Sequence, residues 1–369
     1  MEPIKVSAGL ANVICTETYI SSTKNQMLSY AGYGIDELMA QQVSYEEVLF
    51  LLWHLRLPTA SELEAQNKKI FANIYLDEHY LNRLRVISNT HQHPMSILRT
   101  AISMLGTQTD ATGTSEQVQG RMLAVVAAIV SLLQKRPILT PRQDLSYAGN
   151  FYYLLTGHLP TAAQTAIANQ VLILHADHEL NASTFTARVV ASTDADMYSC
   201  LTAAVCALKG PLHGGANEAV FKMLTEIDQN HIDPATYIAD KLAKHEKISG
   251  FGHRIYKNGD PRAKYLKIAA AQIAKDSHQL KWYQLSEQIQ TYMAENTNFK
   301  PNVDFYTATI YHCMGLPADV FTLLFAVCRT GGWLAHIQEQ RQMHTLIRPS
   351  SEYVGEMNRR IDERQQNAQ

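Results

Sequence analysis

"SYEEVLFLLWHLRLP", residues 44–58, reads as a helix with both of its ends marked. Ser44 has the side chain of an N-cap, and Glu47, three residues on, is its capping-box partner. Val48, Leu51, Leu52 and Leu55 follow the i, i+3, i+4, i+7 spacing of one buried face. Pro58 stops the element, because its ring lacks an N–H and collides with the preceding turn. Similar patterns fill "TAAQTAIANQVLILHADHE" (161–179) and "STDADMYSCLTAAVCALKG" (192–210), where Gly210 is the expected stop. "PADVFTLLFAVCRTGGWLAHIQEQ" (317–340) reads as a helical pair interrupted at Gly331-Gly332. Sustained alternation of apolar and polar residues is rare, so the expectation is an all-α chain with little sheet.

Composition narrows the class. The 369 residues carry 32 Lys+Arg against 34 Asp+Glu, a formal charge of −2. That balance excludes a nucleic-acid coat, which needs a basic excess or stripe. The five cysteines, Cys15, Cys200, Cys206, Cys313 and Cys328, form no CxxC pair, so neither a disulfide framework nor a zinc ribbon is expected. "MEPIKVSAGLANV" lacks the charged-then-apolar pattern of a secretory signal. The longest apolar run, "MLAVVAAIVSLL" at 122–133, falls short of the ~18 residues of a membrane span and reads as a buried helix. A cytoplasmic protein without membrane or nucleic-acid partners is the expectation.

Charge is concentrated locally. "ISGFGHRIYKNGDPRAK" (248–264) holds His253, Arg254, Lys257, Arg262 and Lys264 around a single acid, Asp260. On a near-neutral chain such a cluster suits a small anion, and a planar guanidinium suits a carboxylate. Asp260-Pro261-Arg262 sets Arg262 beside a turn as a fixed cation. Gly250-Phe251-Gly252 is only half of a dinucleotide fingerprint, since Ile255 stands where a third glycine would be needed. Lys257 and Lys264 fit a solvated basic face equally well.

Three further segments carry chemistry. In "GPLHGGANEAV" (210–220), Gly214-Gly215 allows close backbone approach to a ligand and displays His213, although a structural loop histidine is the plainer reading of that residue alone. In "PNVDFYTAT" (301–309), Asp304 stands where a helix begins. Spacing favours a cap; a base with a raised pKa among Phe305 and Tyr306 is the alternative. His175 and His178 have a two-ligand metal spacing, but the HExxH pattern of a hydrolytic metal site is absent, so no metal is expected.

Taken in order with "GLANVICTETYIS", "LSYAGYGIDEL", "HPMSILRT", "DLSYAGNFYYLLTG" and "RTGGWLAHIQEQ", these segments resemble the citrate synthase family from about residue 8 to 355. The resemblance implies an almost entirely helical protein with a large domain (1–213 and 327–369), a small domain (214–326) and an active site in the cleft between them. It implies a dimer at minimum, and condensation of acetyl-CoA with oxaloacetate, the entry step of the tricarboxylic acid cycle. Acetyl-CoA is then a substrate, and no cofactor is expected. By resemblance, His178 and His253 contact oxaloacetate, and His253 polarises its carbonyl. Arg262 and Arg329 bind its carboxylates, and Arg348 reaches into the partner's site. Asp304 is the base that removes the thioester methyl proton, and His213 stabilises the resulting enol. Lys257 and Lys264 lie beside the loop that wraps the CoA adenine and are expected to contact CoA phosphates, with Gly250 and Gly252 also in the CoA-binding set.

Departures from the family pattern also matter. Ala31 stands where many relatives have Arg, and Ser350 follows Arg348-Pro349 where many read R-P-R. The chain starts almost at the shared core, so the extension that carries NADH inhibition is not expected. 2-Methylcitrate synthase, using propionyl-CoA on the same scaffold, is the near alternative, since one methylene discriminates by only ~1–3 kcal/mol. A non-catalytic ligand sensor is the rival of a different class; it would have no turnover for Asp304→Asn to abolish.

Overall fold

A computed structural model describes residues 8–10, 13–90, 92–107 and 113–359; the start at 1–7 and the polar tail from 360 lie outside them. Ser44 opens the first long helix, Tyr45–His54, and the capping box forms in both directions: Ser44 Oγ accepts from Glu47 N–H at 3.2 Å, and Glu47 Oε2 accepts from Ser44 N–H at 2.6 Å. Leu55 closes the helix in the left-handed conformation (φ 59°), three residues before Pro58. Thr59, Thr114 and Thr161 start their helices with the same reciprocal box. The chain is all-α: sixteen α-helices among the described residues, against one sheet of three two-residue antiparallel strands, Ser21–Ser22, Ser29–Tyr30 and Tyr33–Gly34. Ser21 pairs with Tyr30, and Tyr30 with Tyr33.

The 122–133 run lies inside the helix Ser115–Leu133, and the last long helix spans Phe321–Gln342. Ser115–Leu133 and Ala318–Gln342 are each long and apolar enough to cross a membrane, which corrects the expectation drawn from the 122–133 run alone. The first is mostly buried inside the protein and the second fully. Every residue from Phe321 to Ile337 is buried, which is why this segment is apolar on all sides rather than on one stripe.

This helix overturns the expected break at Gly331-Gly332. It is continuous, and the glycines serve close packing instead. A Cβ on Gly332 would lie 2.4 Å from the Ala176 carbonyl oxygen and 2.4 Å from Asp177 Oδ1. A Cβ on Gly331 would clash with the end of Leu49, at 2.4 Å, with the Tyr45 hydroxyl and Gln119 Oε1 at ordinary contact, 3.5 and 3.8 Å. The Gly332 N–H also donates to the Ala176 carbonyl at 3.1 Å. Gly332 therefore lets the helix press against the 176–178 turn and sets where His178 stands. The second helix boundary also shifts: Met197–Leu208 ends two residues before Gly210, the expected stop.

Alanine is the better helix former by about 0.5–1 kcal/mol, whereas overpacking a core costs about 1–3 kcal/mol. Backbone and carboxylate cannot move aside at Gly332; the Leu49 methyl can at Gly331. Gly332→Ala should therefore lower the midpoint of denaturant unfolding clearly more than Gly331→Ala. Equal midpoints for the two variants would contradict this account of the glycines.

Candidate active site

The helix Ala162–His175 ends with two adjacent carbonyls, each of which holds a buried arginine. Arg329 Nε donates to the His175 carbonyl at 2.6 Å, and Arg262 Nη1 reaches the Leu174 carbonyl at 3.4 Å. A helix C-terminus leaves carbonyls unpaired and carries partial negative charge, so it suits cations. Arg329 comes from the middle of Phe321–Gln342, and Arg262 is the residue before Ala263–Asp276; both are 2% exposed.

Asp260 fixes Arg262 as the Asp-Pro-Arg turn suggested. Its Oδ1 accepts from Arg262 Nε (2.9 Å) and from the Arg262 N–H (3.0 Å), while Oδ2 accepts from Nη2 (2.7 Å). Burial would raise the Asp260 pKa, but Arg262 pulls it down to about 2. Burial weakens the Arg262 cation, and Asp260 more than restores it. Arg329 has no such partner: its guanidinium lies over the Phe325 ring at 4.8 Å, and only Nε bonds to the described residues. Its terminal nitrogens are the fork available to a carboxylate.

Asp260 Oδ2 also accepts from the Val303 N–H at 3.1 Å, tying the turn to the first residue of the helix Val303–Cys313. Asp304 follows directly. It is not the cap that its spacing favoured: Asn302 caps the helix, its Oδ1 accepting from the Asp304 N–H at 3.0 Å. The Asp304 carboxylate is thereby released from capping and makes no hydrogen bond to the described residues. Desolvation raises its pKa to about 7, with Arg262 and Arg329 opposing the rise and Asp260 adding to it.

Gly250 and Gly252 both sit in the left-handed region, at φ 82° and 79°. Their main chain pairs with 300–302: Asn302 N–H donates to the Gly250 carbonyl (2.9 Å), Gly252 N–H to the Lys300 carbonyl (2.9 Å), and Asn302 Nδ2 to the Gly252 carbonyl (3.0 Å). The two glycines thus bind the His253 loop to the start of the Asp304 helix. Gly214 likewise approaches the chain itself rather than a ligand, since its Cβ would lie 2.3 Å from the Leu208 carbonyl.

Three histidines surround the arginines in neutral form. His253 Nδ1 accepts from the N–H groups of Ile255 (3.0 Å) and Tyr256 (3.2 Å), so the ring proton sits on Nε2. Burial first, then Arg262, pushes its pKa down to about 4. The His178 ring centroid lies 5.1 Å from that of His253, and His178 Nε2 bonds the Tyr256 hydroxyl at 3.1 Å. Burial and Arg262 hold the His178 pKa well below the ordinary imidazole range. His213 Nε2 bonds the Ser183 hydroxyl at 2.8 Å and accepts from the Ser183 N–H at 3.3 Å, which places its proton on Nδ1. Ser183 lies in the first turn of Ala182–Ala191, where the helix dipole disfavours an imidazolium. Burial, then Arg329, lowers the His213 pKa to about 4.

Other candidates stand apart. His175 faces inward, with Nδ1 on the Val171 carbonyl (2.8 Å) and its ring edge-on to Phe325. It does not pair with His178, and among the described residues no three His, Cys, Asp or Glu side chains are gathered as a metal site would need. Lys264 is held by Asp36 at 2.9 Å, and Lys257 Nζ donates to the Arg254 carbonyl at 3.1 Å. Arg348 is exposed after the last helix and makes no hydrogen bond or ion pair with the described residues. Sequence reasoning missed Tyr256, which touches both His178 and His253, and Ser183, which orients His213 and receives a hydrogen bond from Trp333 Nε1 at 3.1 Å. The only local signal for Tyr256 is its position three residues after His253.

A family model described as "Citrate synthase, C-terminal domain" matches residues 9–350. The chain is 44% identical over 357 residues to "Citrate synthase 2" of Bacillus subtilis, covering 94% of this chain and 95% of that one. It is 40% identical over 362 residues to a 2-methylcitrate synthase of Mycobacterium tuberculosis, covering 95% and 91%. The structure superposes with a TM-score of 0.88 and 29% identity on a citrate synthase of Thermoplasma acidophilum in a ternary complex with carboxymethyl coenzyme A and oxaloacetate, covering 98% and 100%.

The Asp304 pKa implies a pH-dependent stability that can be measured without substrate. Between its ordinary value of 3.8 and about 7 the native state binds the proton that the unfolded chain releases, so stability falls as pH rises through that window and levels off above it. Asp304→Asn removes this loss. The variant should gain on the wild type in unfolding midpoint from pH 5 to pH 8, whereas a constant difference across that range would mean that Asp304 titrates as an ordinary carboxylate.

Proposed function

Because this chain belongs to the citrate synthase family, we propose that it condenses acetyl-CoA with oxaloacetate and water to give citrate and CoA, the entry step of the tricarboxylic acid cycle. One observation carries the reading: a carboxyl poised near neutral pH shares a buried field with two neutral imidazoles of opposite, fixed tautomer. A thioester α-proton is weakly acidic. Its removal needs a base of useful pKa together with a hydrogen-bond donor for the developing enolate oxygen. Asp304 is the base, and the His213 Nδ1–H is the donor, kept neutral by burial and by Arg329. The His253 Nε2–H polarises the oxaloacetate ketone, with His178 beside it. The carbanion equivalent forms the new carbon–carbon bond, and water then releases CoA.

Arg329 and Arg262 receive the oxaloacetate carboxylates, an orientation effect of the kind that can offset ~7–11 kcal/mol of barrier. Arg348 is exposed and makes no hydrogen bond or ion pair with the described residues, which fits its contributing to the partner's site in a homodimer. No cofactor or metal enters the scheme. The cytoplasm is the proposed compartment. Residues 214–320 form the proposed small domain, closing on the rest from Gly214–Gly215. The expected boundary at 326 falls inside the unbroken helix Phe321–Gln342, so the joint is placed ahead of that helix and 321–326 move with the large domain. The CoA contacts of Lys257 and Lys264 rest on the family pattern, and each lysine would have to leave its present partner to make them.

Propionyl-CoA is the second substrate to test, given the 2-methylcitrate synthase relatives. Thiol release should require oxaloacetate, persist in EDTA, and run faster with acetyl-CoA than with propionyl-CoA. The reverse preference would make the chain a 2-methylcitrate synthase with the same residue roles. Release without oxaloacetate, or none at all, would reject the condensation. Asp304→Asn should cut kcat by at least ~100-fold while oxaloacetate still binds, since a positioned base contributes about that much.

A further inference from the structure

Gln26 grips the His253 loop from outside the site. It ends the short turn Lys24–Gln26, between the strands Ser21–Ser22 and Ser29–Tyr30. Its Oε1 accepts from the N–H groups of Lys257 (2.6 Å) and Asn258 (3.4 Å), and its Nε2 donates to the Ile255 carbonyl (3.3 Å). One carboxamide thus straddles residue 256 as a neighbouring strand would. The inner side of the same turn faces His253, whose Nδ1 takes the N–H groups of Ile255 and Tyr256. Residues 255–257 therefore bond outward to Gln26 and inward to His253 by turns.

Two further observations set this contact apart from an incidental surface bond. Asn25 and Gln26 both lie in the left-handed region, at φ 55° and 63°. Non-glycine residues keep that conformation where the surroundings enforce it, and such outliers gather at functional sites. The hairpin is also anchored next to His178: Ser21 Oγ donates to Asp177 Oδ2 at 2.5 Å, and Thr23 Oγ1 to Glu179 Oε2 at 2.8 Å. One strap thus spans the loops of both oxaloacetate-facing histidines, which are far apart in the chain.

We propose that Gln26 is a positioning residue of the condensation: its carboxamide clamps the 255–258 turn so that His253 keeps Nδ1 as an acceptor and presents Nε2–H beside His178. The substrate half of this statement rests on the function proposed above; the clamp itself does not. A glutamine suits the task because it both donates and accepts. Glutamate retains only the accepting half, and methionine keeps the length and loses both.

Two variants of the full-length protein test it, Gln26→Met and Gln26→Glu, by steady-state kinetics, unfolding midpoint, and 15N spectra of histidine-labelled protein in which His253 is identified by its loss in His253→Asn. Gln26→Met should lower kcat/KM for oxaloacetate about ten-fold, the scale of one or two half-exposed hydrogen bonds, and shift the His253 ring nitrogens away from the Nε2–H pattern. Gln26→Glu should recover to within about three-fold of wild type, because Lys257 and Asn258 keep their acceptor. Unchanged His253 nitrogens in Gln26→Met would overturn the proposal, whether the kinetics hold or fall together with the unfolding midpoint. A wild type without oxaloacetate-dependent turnover would reject the function instead, and the nitrogen comparison would still decide the clamp.

Discussion

Two buried guanidinium groups docked on one helix end are the constraint from which the rest of the site follows. Like charges in a desolvated place repel by a few kcal/mol, so Arg262 and Arg329 need compensation to stay together. The Leu174 and His175 carbonyls give part of it, Asp260 neutralises Arg262 directly, and Asp177 lies in the field of Arg329. Removing one partner of a buried pair costs about 3–5 kcal/mol, which makes Asp260 structural and functional at once. Its second oxygen on the Val303 N–H passes that constraint to the helix carrying Asp304.

The protonation states follow from the same arrangement. Burial first, and the neighbouring cations second, keep His178, His213 and His253 neutral, so each can act as a directional donor and none adds to the positive charge. The same cations would press Asp304 toward ionisation, and desolvation wins against them, leaving its carboxyl near neutrality. A base of lower pKa would take up a carbon-bound proton poorly; one of much higher pKa would already be protonated at pH 7. Gly332 completes the geometry by letting the helix of Arg329 rest on the turn before His178.

Local signals were legible, and distant ones were not. The capping box at 44–58 depends on residues three apart and reads directly from their types. Gly331-Gly332 looks the same in sequence whether glycine breaks a helix or lets it pack closely; only the Ala176 carbonyl opposite decides. Asn302 and Asp304 both suit a cap, and the choice falls to Asn302 with Asp260 taking the Val303 N–H. The histidines, arginines and Asp304 could be named from glycine-rich loops and the family pattern, but their tautomers could not, because Ser183 reaches His213 from thirty positions away. Tyr256 and Gln26 act through contacts that carry no pattern in their own neighbourhoods.

The most direct test of the paired arginines is calorimetric binding of oxaloacetate to the folded dimer or monomer as isolated, comparing wild type with Arg329→Gln. Arg329 offers the unpaired fork, and truncating one side of a desolvated charge pair costs about 2–5 kcal/mol, so binding should weaken by at least ~30-fold in a variant that still folds. Binding within about two-fold of wild type would mean that the carboxylates are held elsewhere, and that the helix-end arginines do not build the anion site.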